Sequence, residues 1–259
     1  MVAIVSNKRE FIFKAVADMY TDVAQHPLKG FHFPTGRLAC LFVGYPAAQL
    51  DRIPATATES FAGVGYPFAA NVIREGDVVL DIGSGAGTDT LIASLLTGER
   101  GKVYGLDMTA AMLEKLERNI RAMGTANVKP VPGNAEEIPL SDASIDVVTT
   151  NGVLNLVPDK PRAFAEIVRV LKPGGRVQIS DISLVKPISE KSRSDPKLWA
   201  ECVVGAVLEE DYLGMLRAAG LSVEIIGRLD YFAGSTSADT RRAAQGFGAH
   251  TIVMQGAKT

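Results

Sequence analysis

Two hydrophobic periods divide the chain. From Asp77 onward, short apolar runs bounded by turn residues recur: DVVLDI (77–82), KVYGLD (102–107), NVKPV (127–131), SIDVVTT (144–150), GRVQISD (175–181), LSVEII (221–226) and HTIVMQ (250–255). Short runs rich in β-branched residues read as strands. Between them the period lengthens to that of a helix. MTAAMLEKLERNIRAMG places Met112, Leu116, Ile120 and Met123 on one face and stops at Gly124, a residue type that commonly closes helices. PRAFAEIVRVLKPGG gathers Phe164, Ile167, Val168 and Leu171 before Pro-Gly-Gly ends the run. Strands alternating with helices predict an α/β fold, a seven-stranded and mostly parallel sheet with helices on both faces. The last two strands are joined by an insertion near 228–248 and predict an antiparallel edge.

Ahead of the sheet the pattern has another character. EFIFKAVADMYTDVAQH sets Ile12, Val16, Met19 and Val23 in helical register. HPLKGFHFPTGRLACLFVGYPAAQLDRIP, rich in Gly, Pro and aromatic residues, reads as ordered loop. Residues 1–75 are therefore expected to form a cap of helix and loop. It would lie over the open end of a sheet domain spanning 76–259 and would not be a domain of its own.

The stretch VVLDIGSGAGTDT (78–90) sits where such sheets bind ligands, at the carboxyl end of the first strand. A dinucleotide fingerprint is Gly-x-Gly-x-x-Gly. Here the third glycine comes one residue early, as Gly83-x-Gly85-x-Gly87. Gly-Lys-Ser/Thr is absent, which removes the P-loop. Asp107, ending the second strand, can accept bonds from both hydroxyls of a ribose.

An acid before the glycines, Gly-x-Gly-x-Gly, and an acid ending strand two together resemble the class I S-adenosylmethionine (SAM)-dependent methyltransferases. That resemblance implies a Rossmann-like domain and SAM as cofactor. The turn Gly83-Ser84-Gly85-x-Gly87 would lie against the cofactor's amino-acid and ribose portions, and Asp81 would meet its ammonium directly or through water. Asp107 would hold the ribose, with Met108 beside it. GNAEEIPL (133–140) stands where the family contacts adenine, with Asn134 and Ala135 as the matching pair, and Asn151 would line the methionine end. LKPGGRVQISD (171–181) resembles the family's approach to its fifth strand.

NGVLNLVPDK (151–160), LWAECVVGA (198–206), GLDMT (105–109) and FAGVGYPF (61–68) further resemble the arsenite methyltransferases. Members of that family bind trivalent arsenic through three cysteines, because a soft centre prefers thiolates. The matching positions here are Val64, Gly152 and Cys202, so one of three is a cysteine. A single thiolate does not make a multidentate soft site. The resemblance thus implies methyl transfer by SN2 displacement to a small-molecule acceptor, with a trivalent arsenical or a thiol left open and arsenite itself not expected. The alternatives are a C-methyltransferase acting on a quinone-like or other aromatic molecule, a SAM-binding protein without turnover, and, outside the family, a nicotinamide-dependent oxidoreductase.

Candidates for acceptor chemistry are few. Cys202, in a helix expected to start at Asp195-Pro196, is either a small buried hydrophobe or a thiol facing the acceptor. His32, in GFHFPTGR, is a better general base than His26, or else a packed loop residue between Phe31 and Phe33. Asn155 ties down the loop after strand four, and Arg37 is a weak candidate for holding an anion. Tyr45, Tyr66, Phe68 and Cys40 read as core, and Glu136-Glu137 and Glu209-Glu210-Asp211 as helix-start or solvated acids. Two cysteines allow neither a disulfide framework nor a zinc site. A net charge of −2 with interspersed signs gives no basic stripe for nucleic acid. No run approaches the roughly 20 apolar residues of a membrane span, and MVAIVSNKREF has no signal-peptide pattern. The expectation is a cytoplasmic enzyme.

Overall fold

The computed structural model describes residues 6–188 and 204–259, with side chains from residue 9 onward. Its strands are β1 (Val78–Ile82), β2 (Lys102–Asp107), β3 (Val128–Pro132), β4 (Ile145–Asn151), β5 (Leu171–Leu184), β6 (Val207–Leu208), β7 (Leu221–Leu229) and β8 (His250–Lys258). They form one sheet in the order β3-β2-β1-β4-β5-β8-β7, with the two-residue β6 pairing β5 off that path. β1 through β6 run parallel, and β8 runs antiparallel to both β5 and β7. All seven expected strands are present. The antiparallel strand lies inside the edge formed by β7, and the short β6 is an addition that two residues of sequence did not signal.

The α/β alternation has a physical basis in each crossover. α5 (Thr88–Thr97) starts at Gly87, whose φ of 103° turns the chain sharply out of β1. α6 (Ala110–Met123) buries Met112 and Leu116 and ends at Gly124 in the left-handed region. α7 (Lys160–Val170) starts where the Asp159 carboxylate accepts the Arg162 N–H at 3.1 Å. It turns Phe164, Ile167 and Val170 into the core, while Val168 stays at its margin. Helices α8 (Glu209–Ala218) and α9 (Ala238–Phe247) flank β7, so the insertion near 228–248 contains a helix. Opposite the Lys172-Pro-Gly-Gly bend, the β4–β5 register shifts between Ile145 and Val147. Two apolar layers result, one on each sheet face.

Before the sheet, α1 (Ser6–Gln25) buries Ile12, Val16 and Val23, as its period requires. The segment read as ordered loop instead contains the short helices α2 (Gly36–Phe42) and α3 (Ala47–Leu50), with α4 (Ala55–Thr58) following. The glycines and prolines that suggested loop stand at the helix boundaries: Gly36 opens α2 at φ 80°, and Pro46 and Pro54 precede α3 and α4. Among the described residues, no helix is long and apolar enough to cross a membrane, and no cluster of His, Cys, Asp and Glu could hold a metal ion.

Candidate active site

β1 is flanked by β2 on one side and β4 on the other, so strand order reverses there. A cleft of about 980 Å³, part of it open to solvent, lies at this switch point. Its floor is Gly83–Ala86 after β1, with Asp107–Thr109 after β2, Gly133–Ala135 after β3 and Asn151–Val153 after β4. The other wall comes from the segment before the sheet: Phe13, Val16 and Tyr20 on α1, and Ser60–Gly63.

The glycine turn is held open by its backbone. Gly83 has φ 75°, and a Cβ there would come within 2.2 Å of Val153 Cγ2. The N–H groups of Gly83 and Ser84 both donate to the Leu106 carbonyl, locking the turn against β2. The Gly85 N–H donates to Asp107 Oδ2 at 2.8 Å, and the Thr109 N–H donates to Oδ1 at 2.8 Å. Asp107 is thereby fixed in orientation, and burial raises its pKa despite these donors. Ser84 Oγ, at the cleft wall, is buried with no partner among the described residues.

Of the other expected cofactor residues, Met108, Asn134, Ala135 and Asn151 line the cleft, while Asp81 and Gly87 do not. Asp81 is 1% exposed and lies beneath the turn, where Thr90 Oγ1 donates to its Oδ2 at 2.5 Å. Burial, with Asp89 and Asp107 nearby, pushes its pKa up. Gly87 shapes the start of α5; a Cβ there would meet Leu116 Cδ1 at 2.6 Å. Asn134 folds its own loop, its Oδ1 accepting the Glu136 N–H at 2.9 Å.

His32 lies outside the cleft, in the connection after α1. Its ring stands edge-on to Phe33 with centroids 4.6 Å apart, burial lowers its pKa, and its carbonyl accepts from Ser235 Oγ. This placement gives a general-base role no geometry. Cys202, with Asp195 and Pro196, lies outside the described residues. Cys40 is fully buried, and burial with the Asp89 charge pushes its thiol far above the ordinary range. Arg37 is spent on a surface pair with Asp51. His26, just past the end of α1, pairs with Asp22 at the surface. Asn155 is buried, its N–H donating to Asp181 Oδ2 at 2.8 Å, which fixes the loop after β4. Glu209–Asp211 do start a helix.

Glu136 departs from its reading as a helix-start or solvated acid. It is fully buried, receives Arg9 Nε of α1 at 2.6 Å, and accepts the Asp159 N–H at 2.9 Å. The turn built by Asn134 aims the carboxylate inward, beneath the N-terminal half of α1.

The residue that sequence reasoning missed is Asp89. It lines the cleft from the first turn of α5, accepts the hydroxyl of Tyr45, and accepts Asn151 Nδ2 at 3.1 Å on its other oxygen. Burial raises its pKa to about 6 against the opposing pull of both donors. Asn151 also binds the chain before the sheet, donating to the Gly65 carbonyl and accepting the Val64 and Gly65 N–H groups. In the sequence, Asp89 looks like an ordinary acid favouring a helix N-terminus. Its only signal was its place two residues after Gly87.

The family model described as "Methyltransferase domain" matches residues 73–220. The chain belongs to the methyltransferase domain family. The domain is 39% identical over 184 residues to an arsenite methyltransferase of Halobacterium salinarum, covering 71% of this chain and 47% of that one. It is 31% identical to the arsenite methyltransferase of Rattus norvegicus, covering 81% and 56%. The chain thus spans about half the length of the curated relatives it matches. Among solved structures, CrArsM, an arsenic (III) S-adenosylmethionine methyltransferase from Chlamydomonas reinhardtii, superposes with a TM-score of 0.66 at 33% identity, covering 82% of this chain and 72% of that one. The motif resemblance and the fold expected from it are borne out.

Proposed function

We propose that the chain is a SAM-dependent methyltransferase of the arsenite-methyltransferase-like group, acting on a small-molecule acceptor. The observation that carries this is electrostatic. Two carboxylates, Asp89 and Asp107, line the cleft on opposite sides of the glycine turn, and no Lys, Arg or His is among its described lining residues. Such a site suits a cation and disfavours the pyrophosphate of a dinucleotide. The donor set fits the cofactor: a fixed acid at the end of β2 for a ribose, a slot at Asn134-Ala135 for a base, and an unpartnered Ser84 hydroxyl.

When bound, the cofactor would supply an electrophilic methyl group on a sulfonium. The chain's own task is then alignment and exclusion of water. Asp107 orients the sugar. The bare backbone of Gly83 and Gly85 allows close approach. The segment before β1 acts as a cap, with Phe13, Val16, Tyr20 and Phe61 closing an apolar wall that shields the site and shapes the acceptor's place.

Among the described residues, the corner where relatives would carry thiolates is apolar. Val64 packs on Gly152, where a Cβ would lie 3.0 Å from Val64 Cγ1. This favours an acceptor held by shape over arsenite held by sulfur. A C-methyltransferase on an aromatic molecule is the second reading. It is favoured by the aromatic wall and by 38% identity over 121 residues to the ubiquinone/menaquinone biosynthesis C-methyltransferase UbiE of Escherichia coli. Titration with SAM and with NAD tests the first step: SAM binds and NAD does not. Mass spectrometry of a cell extract incubated with protein and SAM then finds a product 14 Da heavier, that is, one CH2 more by elementary mass arithmetic. NAD binding without SAM binding refutes the reading.

A further inference from the structure

We propose that Asp89, held between Tyr45 and Asn151, is the carboxylate that receives the ammonium group of the cofactor. The inference rests on the SAM-binding reading above and assigns a residue of this chain to one end of that ligand.

The argument begins with the three acids around the glycine turn. Asp81 precedes the turn but is shut beneath it, committed to the Thr90 hydroxyl, and absent from the cleft wall. Asp107 faces the cleft from the β2 side and takes the Gly85 and Thr109 N–H groups. Asp89 faces it from the β4 side, because its Oδ2 accepts from Asn151, the last residue of that strand. β2 and β4 flank β1, and Ile82 pairs with Leu106 on one side and Thr150 on the other. The two wall acids therefore stand about two strand spacings apart, roughly 10 Å, across the turn. A molecule with its ribose at Asp107 extends its amino-acid group towards Asp89.

The support behind Asp89 is that of a preformed anion site. Tyr45 is buried, donates its hydroxyl to Oδ1, and is itself fixed by edge-on contact with Phe61 and Tyr66. Asn151 is fixed by the Val64 and Gly65 N–H groups and the Gly65 carbonyl. These donors favour the ionised form, and no described cation bonds the carboxylate. A buried anion of this kind gains from a cationic partner. Tyr45 does not line the cleft, so it acts as a positioning residue through Asp89.

Equilibrium binding by calorimetry tests this with three probes: SAM, S-adenosylhomocysteine and methylthioadenosine. The first two carry the ammonium; the third lacks the amino-acid group. Asp89→Asn should weaken SAM and S-adenosylhomocysteine alike, by roughly 10- to 100-fold as expected for a lost charge-assisted bond, and leave methylthioadenosine within about twofold. Tyr45→Phe should produce the same selectivity at smaller amplitude. Retained methylthioadenosine binding shows the variants are folded. Equal weakening of all three probes, loss for SAM alone, no loss for any, or the selective loss appearing in Asp81→Asn instead, each overturns the assignment. Failure of the wild-type chain to bind any probe overturns the SAM reading itself.

Discussion

At the scale of single residues, the buried acids set a pH signature. Burial raises the pKa of Asp89 and of Asp181 to about 6, and also raises Asp81 and Asp107. Each raised acid holds a proton in the folded chain at pH values where the unfolded chain has released it. Folding stability therefore falls as pH rises through that window. Burial of His32 acts in the opposite sense, since its folded pKa is lowered, but it is one group against four. The lowered acids, among them Glu166 and Glu209, lose their contribution only at lower pH. The melting temperature should fall between about pH 5 and 6.5, by roughly 4–8 °C for a chain of this size. Scanning calorimetry across that range checks it, and a rising profile refutes it. Asp107 was legible because an acid ending the second strand has one usual role. Asp89 and Glu136 were not, because both roles depend on partners far along the chain, Tyr45 and Arg9, that no local pattern connects.

At the scale of elements, the turn between β1 and α5 and the seat of α1 each have one residue whose replacement tests them. At Gly83 an alanine would combine a left-handed backbone with a Cβ 2.2 Å from Val153. Gly83→Ala should destabilise the fold by about 2–4 kcal/mol and reduce SAM affinity, because relief requires moving Val153, which is also cleft wall. Urea unfolding and calorimetry measure both effects. Glu136 acts at the other rim. Removing its carboxylate leaves Arg9 without its partner and the Asp159 N–H without this acceptor. Glu136→Ala should cost about 2 kcal/mol and speed hydrogen exchange along the first two turns of α1 while leaving β1 protected. Unchanged exchange in α1 would show that apolar packing alone seats it. The strands were readable because parallel strands buried on both faces appear as unbroken apolar runs. The helices α2 and α3 were hidden because their boundary glycine and prolines mimic loop composition.

At the scale of the whole molecule, the cleft joins two regions that are distant in sequence. One wall comes from residues 13–63 and the other from strand ends between 82 and 157, so a ligand filling it bonds both. The contacts already linking them flank the cleft, Tyr45 with Asp89 and the Val64 and Gly65 N–H groups with Asn151 towards β4, and Arg9 with Glu136 after β3. A ligand placed among them adds to an interface that already exists, and its binding energy appears as stability of the folded chain. At 100 times its dissociation constant SAM should contribute about 2.7 kcal/mol. For this chain length that is a rise in melting temperature of roughly 5–10 °C. NAD, whose pyrophosphate would face Asp89 and Asp107, should give none. The rise should come with slower proteolysis between α1 and α4, because Phe13, Val16, Tyr20 and Ser60–Gly63 would touch the bound ligand. A shift in melting temperature without protection there would mean that the ligand binds the sheet alone and that the aromatic wall plays no part in holding it.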